Sequence, residues 1–477
     1  MKKINKVEIH KWIGYILLVF YGVSAIGFLY YCWRSEIFPI SYLILMAAIL
    51  GIAGVVFVIM HRKVVSSIIA SILSVILATV CVLGSYYMIH TSYVISEVAK
   101  TEKQTDVVSV YVMDQDPAQS LEEIKGYKIG IIKETDRELT DQTVDYLETV
   151  VKSSLNIQEY EDVLTMLTTL KKGKVGAVIL NDAYVGMFAD VEGYAWIATD
   201  LRKITSVEHE VDIEEESVVP DNVPETFVMY LSGIDTYGGI SARSRSDVNI
   251  LAVVNTREKK ILLLSTPRDY YVDYSVTGGA KDKLTHAGIY GIEASIDALE
   301  RLYDIQVDYY LRVNFSGFVD IIDALGGVDV HSEYEFTVDP IKTYHVGENH
   351  LTGLEALAFA RERYSFPDGD YQRAKNQMEV IRAVIAQCAS GSLLKNYASV
   401  MNAVTGSFET NMPNNQIASL VRMQLADMAQ WEITSYTSTG TGMYAETFSM
   451  PGQPLSVIEP DPASVEEAKR LIEELYK

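Results

Sequence analysis

The chain has 477 residues, 49% of them hydrophobic, and a formal net charge of -23. This length allows two or three domains, and the acidic balance argues against nucleic acid as a partner, because phosphate backbones are bound by basic surfaces. The three cysteines have neither the spacing of a zinc site nor that of a disulfide framework. Because the chain is acidic, a local cluster of arginines in it would indicate a site for an anionic ligand.

Three apolar segments occupy most of residues 1–95. They are Trp12–Trp33, Tyr42–Met60 and Val64–Ile89, and each can cross a hydrocarbon core of roughly 30 Å. Lysines precede the first segment and a basic turn at 61–63 separates the second from the third. The positive-inside rule then places the N-terminus in the cytoplasm and the chain after the third segment outside. A cleaved signal peptide is the alternative for the first segment, but that segment is long for one and lacks a cleavage site.

The segment 106–205 has the pattern of a small α/β accessory domain. Predicted strands alternate there with helices: Val107–Val112, Tyr127–Ile132 and Val175–Leu180 as strands, and Asp141–Ser154 and Glu159–Leu170 as helices. An acidic run, Glu208–Glu216, marks a boundary. The segment has no phosphate loop, metal spacing or catalytic triad, so we interpret it as a packing or spacer domain. A ligand-binding lobe is the alternative.

A larger α/β domain is predicted over 225–435, followed by a tail over 436–477. The predicted strands are Thr226–Ile234, Val248–Asn255, Lys260–Leu264, Asp308–Asn314 and Val328–His331. The predicted helices are Ile292–Tyr303, Phe315–Leu325, Thr352–Arg361 and Tyr371–Ala389. This alternation favours a central mixed sheet flanked by helices. The tail ends in a helix over Ala463–Tyr476 and carries no recognisable chemistry.

Aspartates lie at two strand–loop borders of the larger domain. Asp235 follows the strand Thr226–Ile234, and Asp247 precedes the strand Val248–Asn255. In phosphate chemistry, Mg²⁺ is usually held by one or two carboxylates together with waters and phosphate oxygens. The pair therefore predicts a Mg²⁺ site. The alternative is that both are turn or cap residues, since aspartate favours both positions.

Basic residues are concentrated in the same acidic domain. They are Arg268, Lys283, Arg361, Arg363 and Arg373. The planar guanidinium group binds phosphate oxygens in pairs, whereas any one of these residues alone could be a solvated surface group. Arg361 and Arg363 would lie on one side of an extended segment, so we expect the preceding helix to end near Arg361. Arg243, in the loop before Asp247, is interpreted as a surface charge.

Short motifs follow one another in a fixed order between Thr226 and Gln387. They are Gly233–Asp235, Arg245–Asp247, Ser265–Asp269, Asp282–Ala287, Val313–Phe315, Asp323–Val328, Leu351–Arg363 and Asp370–Gln377. This ordered set resembles the LytR-CpsA-Psr family of bacterial cell-wall enzymes. The three spans and the additional extracellular domain resemble its capsule-polysaccharide branch. One departure is Asn376, where the family commonly has an arginine, which predicts a lighter contact to pyrophosphate.

The resemblance implies transfer of a glycan, here capsular polysaccharide, from a polyprenyl-pyrophosphate carrier to peptidoglycan with Mg²⁺. It places the enzyme in a bacterial cell membrane, with capsule export or assembly proteins as further partners. The implied metal ligands are Asp235 and Asp247. The implied catalytic residues are Arg268, Asp370 and Asp235, and the pyrophosphate-binding residues are Arg268, Lys283, Arg361, Arg363, Arg373, Gln377 and Arg245. Either Asp370 or Asp235 would accept the proton of the attacking hydroxyl.

Two other functions fit the same residues. The first is hydrolysis of the lipid-linked glycan, with water as the acceptor, and the second is a non-enzymatic regulator or scaffold of capsule assembly. A polyprenyl tail would also need an apolar slot. Candidates for its lining are Ile289, Ile292, Ile296, Leu299, Phe315, Phe318, Val319, Ile322 and Leu325, for which ordinary core packing is the alternative.

Overall fold

The computed structural model describes residues 6–98, 103–188, 191, 193–212, 223–234, 243–390 and 396–477. Its first three helices are α1 (Lys6–Arg34), α2 (Ile40–Met60) and α3 (Val64–Val98), and each is long and apolar enough to cross a membrane. A Cβ atom on Gly14 would lie 2.4 Å from Nε2 of His61, so the start of α1 lies beside the turn between α2 and α3. The α1–α2 connection and the end of α3 therefore lie at the opposite end of the three helices, which is the arrangement that three crossings require.

A five-stranded mixed sheet forms the core of the accessory domain. Its strands are β1 (Lys103–Met113), β2 (Lys128–Ile132), β3 (Asn156–Tyr160), β4 (Ala177–Asn181) and β5 (Leu201–Asp212), in the order β3-β2-β4-β1-β5. The helices are α4 (Arg137–Val151), α5 (Val163–Lys171), α6 (Asp182–Met187) and α7 (Trp196–Thr199). Strand β2 runs parallel to β3 and β4, whereas β1 is antiparallel to β4 and β5. The α/β character predicted for this segment is confirmed.

Two predicted elements of this domain are wrong. The single helix over Glu159–Leu170 is instead the end of β3 and then α5, which starts after Asp162, whose side chain accepts a hydrogen bond from the backbone of Thr165. The boundary predicted at Glu208–Glu216 is wrong in its first residues, because β5 continues to Asp212 and pairs with β1. Both β3 and β5 are edge strands, and charged side chains are common there because one side faces water.

The larger α/β domain, which is the predicted catalytic domain, is built on a six-stranded mixed sheet. Its strands are β6 (Thr226–Ile234), β7 (Ser246–Asn255), β8 (Lys260–Ser265), β11 (Tyr309–Asn314), β16 (Phe408–Thr410) and β17 (Glu432–Thr437), in the order β16-β11-β6-β7-β8-β17. Shorter strands form two-stranded sheets around it: β9 (Tyr271–Val272) with β10 (Asp282–Lys283), β12 (Val328–Ser332) with β15 (Gly347–Leu351), β13 (Phe336–Val338) with β14 (Lys342–Tyr344), and β18 (Gly440–Thr447) with β19 (Met450–Pro460).

Helices cover both faces of the six-stranded sheet, as predicted. They are α8 (Leu284–Ala287), α9 (Ile292–Tyr303), α10 (Phe315–Leu325), α11 (Gly353–Arg361), α12 (Asp370–Ala389), α13 (Tyr397–Val404), α14 (Asn414–Asp427) and α15 (Pro462–Leu475). Helices α9 and α15 pack on one face, and α12 and α14 on the other. Val465, Ala468 and Ile472 of α15 are buried in the same cluster as Leu251 of β7. The tail is therefore part of this domain.

The apolar residues proposed to line one lipid slot lie in separate cores. Ile292 and Leu299 pack between α9 and the sheet, and Ile289 packs with the helices of the accessory domain. Ile322 and Leu325 are buried residues of α10, and Ile322 packs with α11. For these residues core packing is the correct interpretation.

The catalytic domain rests on the membrane helices through α14. Arg422 Nη1 donates to the carbonyl oxygen of Glu36 in the α1–α2 connection at 3.0 Å. The hydroxyl of Tyr42, at the start of α2, donates to the carbonyl oxygen of Leu425 at 3.0 Å. The domain is thus held at the end of the anchor where α1 ends and α2 begins.

Candidate active site

The charged residues predicted to form a site lie at one edge of the catalytic sheet. Strands β6, β8, β11 and β17 all run in the same direction and end at this edge, whereas β7 begins there. Ser246 pairs with Ile234, so Asp247 lies beside the end of β6. Arg268 and Asp269 follow the end of β8. Ligands of α/β proteins commonly bind beyond the carboxyl ends of strands, which is where these side chains lie.

Asp247 and Arg268 form the centre of the first wall of the site. Oδ1 of Asp247 lies 3.1 Å from Nη1 of Arg268 and accepts a hydrogen bond of 3.0 Å from the hydroxyl of Thr285. Burial raises the pKa of Asp247, but Arg268, Arg245 and the Thr285 hydrogen bond lower that pKa by more, and it lies below its ordinary value. Asp247 is therefore a carboxylate at neutral pH.

Helix α12 supplies the second wall. Asp370, Arg373 and Gln377 recur at intervals of three and four residues, which places them on one helix face. Oδ1 of Asp370 lies 3.1 Å from Nη2 of Arg373 and 3.6 Å from Nη1 of Arg363. A single pocket is lined by Asp247, Arg268 and Asp269 from the first wall and by Asp370, Arg373 and Gln377 from the second.

Positive charge is crowded between the two walls. Burial lowers the pKa of Arg373; Asp370 opposes this effect and Arg268 adds to it, so the pKa lies below its ordinary value. The group stays charged at neutral pH, since an arginine starts from a pKa above about 12. A low-dielectric pocket that holds several guanidinium groups favours a ligand with several negative charges.

Lys283 is joined to the same site through an acid. Its Nζ donates to Oδ1 of Asp269 at 2.9 Å, and Oδ2 of Asp269 lies 3.9 Å from Nε of Arg268. Arg245 is buried and acts electrostatically on Asp247. Both residues therefore belong to the first wall.

Arg361 and Gln377 also join neighbouring elements of this domain. Helix α11 ends at Arg361, as predicted, and the chain is extended at Glu362. The guanidinium carbon of Arg361 lies 4.3 Å from the ring centre of Phe315, at the start of α10. Gln377 donates its amide to the carbonyl oxygen of Ala360 at 3.3 Å and so joins α12 to α11. Asp235 lies outside the described residues.

Part of the chain is similar to a known protein family. The LytR_cpsA_psr family model matches residues 196–458, more than half of the chain. The chain belongs to the LytR_cpsA_psr family. A polyisoprenyl-teichoic acid–peptidoglycan teichoic acid transferase TagU from Enterococcus faecalis is 33% identical over 248 residues, which cover 51% of this chain and 81% of that protein. TagU from Bacillus cereus is 38% identical over 194 residues, covering 40% of this chain.

The similarity to these relatives is partial. The chain covers 62% of the length of the Bacillus cereus protein. The solved structure of B. subtilis TagV is 27% identical, covers 53% of this chain and 97% of that structure, and has a TM-score of 0.44. Residues 1–195 lie outside the match to the family model.

Asn376, the departure from the family pattern, does not face the pocket. Its side chain is buried, accepts a hydrogen bond from Gln372 at 3.1 Å and donates to the carbonyl oxygen of Phe359 at 3.3 Å. The position joins α12 to α11 and does not line the site. The lighter pyrophosphate contact expected from the missing arginine stays a prediction, since these hydrogen bonds describe the asparagine alone.

Replacing Asn376 with alanine should destabilise the protein and leave ligand binding intact. The change leaves the Gln372 amide and the Phe359 carbonyl without their partner, which costs about 1–3 kcal/mol for a buried polar group. We expect the melting temperature to fall by several degrees and the dissociation constant for geranylgeranyl pyrophosphate to stay within about twofold. A large loss of binding at a temperature where the variant is folded would contradict this assignment.

Gly288 allows the first wall to lie against the segment after β10. A Cβ atom at this position would lie 2.6 Å from the carbonyl oxygen of Ser244 and 2.8 Å from the backbone nitrogen of Ser246. Real Cβ contacts are not this short, so an added methyl group must displace the backbone on both sides of Arg245. Gly288 has helical φ and ψ angles, so alanine itself is tolerated by its backbone.

We therefore expect Gly288→Ala to lower the turnover number by roughly tenfold, because small displacements of catalytic groups have large effects on rate. Gly442→Ala is a matched control, since a Cβ atom at Gly442 would meet nothing within 4 Å. A turnover number of Gly288→Ala equal to that of the control would show that the backbone near Arg245 does not set the rate.

The residues of the first wall fit the Mg²⁺ ion expected from the family. No group of three or more His, Cys, Asp or Glu side chains converges on a metal position within the described part of the chain. An ionised Asp247 in a pocket suited to phosphate is nevertheless an appropriate donor, because Mg²⁺ commonly takes one or two carboxylates and completes its coordination with waters and substrate phosphates.

Some residues of the site were not predicted from the sequence. Asp269 has no predicted role, although it connects Lys283 to Arg268. Thr285 was not considered, although it hydrogen bonds to Asp247. Both lie within motifs of the family, Ser265–Asp269 and Asp282–Ala287, and this was the signal that could have identified them.

Proposed function

We propose that this protein transfers a glycan from a polyprenyl-pyrophosphate carrier to a hydroxyl group of peptidoglycan, forming a phosphodiester bond. The observation that carries the proposal is the single pocket in which Asp247 and Arg268 face Asp370 and Arg373. The curated relatives support it, since they are named as transferases that join a polyisoprenyl-linked polymer to peptidoglycan.

The arginines would bind the pyrophosphate of the carrier lipid. Arg268 comes from the first wall and Arg373 from the second, and Arg363 lies beside Asp370 of the second wall, so the anion would lie between these groups. Guanidinium groups hold phosphate oxygens through paired charge-assisted hydrogen bonds. Since each arginine already has a carboxylate partner, phosphate oxygens would replace or share these contacts.

The reaction is a displacement at the phosphorus atom attached to the sugar. The acceptor oxygen forms a bond to this phosphorus, the bond to the oxygen that bridges the two phosphorus atoms breaks, and polyprenyl phosphate leaves. The proton of the acceptor hydroxyl passes to a carboxylate, for which Asp370 and Asp235 are the candidates, and then to solvent or the leaving phosphate. The arginines stabilise the negative charge that grows on the leaving oxygens.

Magnesium would be held by Asp247, with Asp235 as the second candidate ligand. When bound, it would neutralise negative charge on the pyrophosphate. The depressed pKa of Asp247 keeps this ligand ionised at neutral pH.

The membrane anchor gives the proposal its cellular location. Three apolar helices precede the catalytic domain, and basic residues near the N-terminus and at 61–63 favour a cytoplasmic N-terminus. The catalytic domain would then lie outside the cell, where both the flipped carrier lipid and peptidoglycan are present. Contacts of Arg422 and Tyr42 hold this domain to the anchor, within reach of lipid in the outer leaflet.

We further propose capsular polysaccharide as the glycan. The support is the combination of three spans and an accessory domain, of which only α7 and β5 lie within the match to the family model. Residues that distinguish one family member from another are expected there. Proteins of capsule export and assembly are the corresponding candidate partners.

The test uses the purified full-length protein in detergent, lipid-linked capsular glycan and Mg²⁺, with and without peptidoglycan. We expect covalent attachment of the glycan and release of polyprenyl phosphate when the acceptor is present, and neither product without it. Equal release of glycan phosphate without the acceptor would indicate a hydrolase. Attachment of lipid-linked teichoic acid in preference to capsular glycan would refute the capsule assignment and keep the transferase.

A further inference from the structure

The accessory domain contains a buried pair of acids at one edge of its sheet. Asp106 of β1 is fully buried, and Asp136 lies immediately before α4. The side-chain amide of Asn181, at the end of β4, donates to Asp106 at 3.0 Å and to Asp136 at 3.3 Å. We call Asp106, Asp136 and Asn181 the acidic socket.

The cation in the acidic socket comes from the catalytic domain. Nε of Arg243 lies 3.1 Å from Oδ1 of Asp106, and Nη1 of Arg243 lies 3.5 Å from Oδ1 of Asp136. The Arg243 side chain is only 17% exposed, and Asp106 is 0% exposed. This residue was interpreted from the sequence as a surface charge, and that interpretation is wrong. A fully buried carboxylate is costly without a partner, so the socket depends on Arg243.

Two further features show that the contact is an integral interface. Ile289 of the catalytic domain is buried in one cluster with Met187 and Phe188 of the accessory domain. The ring of Tyr184 packs edge-on against Tyr290, with 6.5 Å between ring centres. The two domains thus share an apolar core beside the socket, and the ion pairs lie in a low-dielectric environment where they are strong.

The socket holds the chain directly before the first wall of the active site. Arg243 precedes Arg245 by two residues and Asp247 by four. On the catalytic side the same stretch is fixed at Ser246, whose hydroxyl is buried and lies 2.9 Å from the hydroxyl of Tyr230 and 2.7 Å from that of Ser232. Gly288 permits the close approach of Ser244 and Ser246. Arg245 therefore lies between an anchor in one domain and an anchor in the other.

We propose that the accessory domain positions the first wall of the active site, with Arg243 as the positioning residue and Asp106 and Asp136 as its receptor. This gives the accessory domain a role in catalysis without a catalytic residue of its own. The effect on rate rests on the proposed transferase function, whereas the effect on chain position does not.

The two acids also explain why arginine suits this position. The planar fork of Arg243 reaches Asp106 with one nitrogen and Asp136 with another. A lysine supplies a single charged nitrogen and cannot make both contacts in the same way. Burial raises the pKa of Asp136 above its ordinary value although Arg243 acts to lower it. Loss of Arg243 would leave two carboxylates facing each other in a largely buried interface.

The test compares full-length Arg243→Gln, Arg243→Lys and Arg202→Gln. Arg202 is the matched control, because it is a half-buried arginine of the accessory domain that donates to backbone carbonyl oxygens of Asp116 and Ala118 within that domain. Hydrogen–deuterium exchange reports on residues 244–249, and the assay of transfer gives turnover number and Michaelis constant separately.

We expect Arg243→Gln to raise amide exchange over 244–249 and to lower the turnover number by about tenfold or more, as displacement of catalytic groups does. Arg243→Lys should recover part of both effects. Arg202→Gln should lower thermal stability without either effect. The Michaelis constant for the carrier lipid should change less than the turnover number, because the second wall of the site is untouched.

Wild-type exchange and wild-type turnover in Arg243→Gln would overturn the inference. So would equal losses of turnover in Arg243→Gln and Arg202→Gln, since these would indicate a role in stability alone. If the wild-type protein shows no transfer, the proposed function fails but the exchange measurement still decides: unchanged exchange over 244–249 refutes the positioning role, and increased exchange supports it.

Discussion

Arg268→Ala should lower kcat/KM for glycan transfer by about 100- to 1,000-fold, the range found when one preorganised donor to a developing charge is removed. The side chain is 10% exposed and lies 3.1 Å from Asp247 and 3.9 Å from Asp269. Its removal takes away a phosphate ligand and leaves these two carboxylates without the cation between them. The measurement is a transfer assay with purified full-length protein.

Two further variants make this prediction specific. Arg268→Lys keeps the charge but loses the paired donors of the guanidinium group, so we expect an intermediate rate. Arg257→Ala is the surface control, because Arg257 is 59% exposed and pairs with Glu225. A rate of Arg268→Ala within about threefold of the Arg257→Ala rate, in protein with a normal melting temperature, would contradict a role for Arg268 in the reaction.

Asp247→Asn should reduce transfer by more than about 100-fold, since loss of the proposed Mg²⁺ ligand would forfeit several kcal/mol and each 1.4 kcal/mol is tenfold in rate. The amide keeps the shape of the side chain and still accepts from Thr285, but it has no charge to offer Mg²⁺, Arg245 or Arg268. We expect the Mg²⁺ concentration for half-maximal rate to rise in the same variant.

The comparison variant is Asp273→Asn, in which an exposed aspartate paired with Arg301 at 3.6 Å is neutralised. It should transfer at the wild-type rate. A Mg²⁺ dependence of Asp247→Asn that matches that of Asp273→Asn would show that Asp247 does not hold the metal.

The pKa of Asp247 sets a further expectation for the wild-type protein. Burial raises this pKa, but Arg268, Arg245 and Thr285 lower it to below its ordinary value. The carboxylate and the stability that it contributes are therefore present above the ordinary pKa near 3.9, and they are lost only as the pH falls through the lowered pKa. Between about pH 5 and 8, any titration of the transfer rate should arise from another group.

Much of the fold was predictable because its elements have strong local signals. Helix α10 follows Asn314, whose side chain caps it, and stops at Gly326, which has a positive φ. Its apolar residues recur at helical spacing, so periodicity and caps agree. Strand β6 is similarly marked by β-branched and aromatic residues up to Gly233.

Elements whose stability depends on distant partners were not predictable. Strand β3 has a polar sequence and exists because β2 pairs with it. The acidic residues of β5 are held by β1. The last helix is predicted over Ala463–Tyr476 and confirmed as α15, but its place in the core against α9 is not visible in the sequence. In each case a tertiary contact decides what local propensity leaves open.

The residues of the site also divide into those that local sequence identifies and those that only the fold brings together. Asp247, Arg268 and Arg373 could be proposed from residue type and motif order, and the structure brings all three to one pocket. The pairing of Arg243 with Asp106 joins residues more than a hundred positions apart, and no periodicity in the sequence indicates it. Which carboxylate accepts the proton also depends on distances to an acceptor and not on residue type.

A label on the phosphate next to the sugar tests most directly whether the glycan is transferred by displacement at this phosphorus. A carrier lipid labelled at this phosphate should transfer the label covalently to peptidoglycan, together with the glycan, and the released polyprenyl phosphate should carry none. Label that remains with the polyprenyl product would contradict displacement at this phosphorus, and label released as soluble glycan phosphate in the presence of acceptor would contradict transfer.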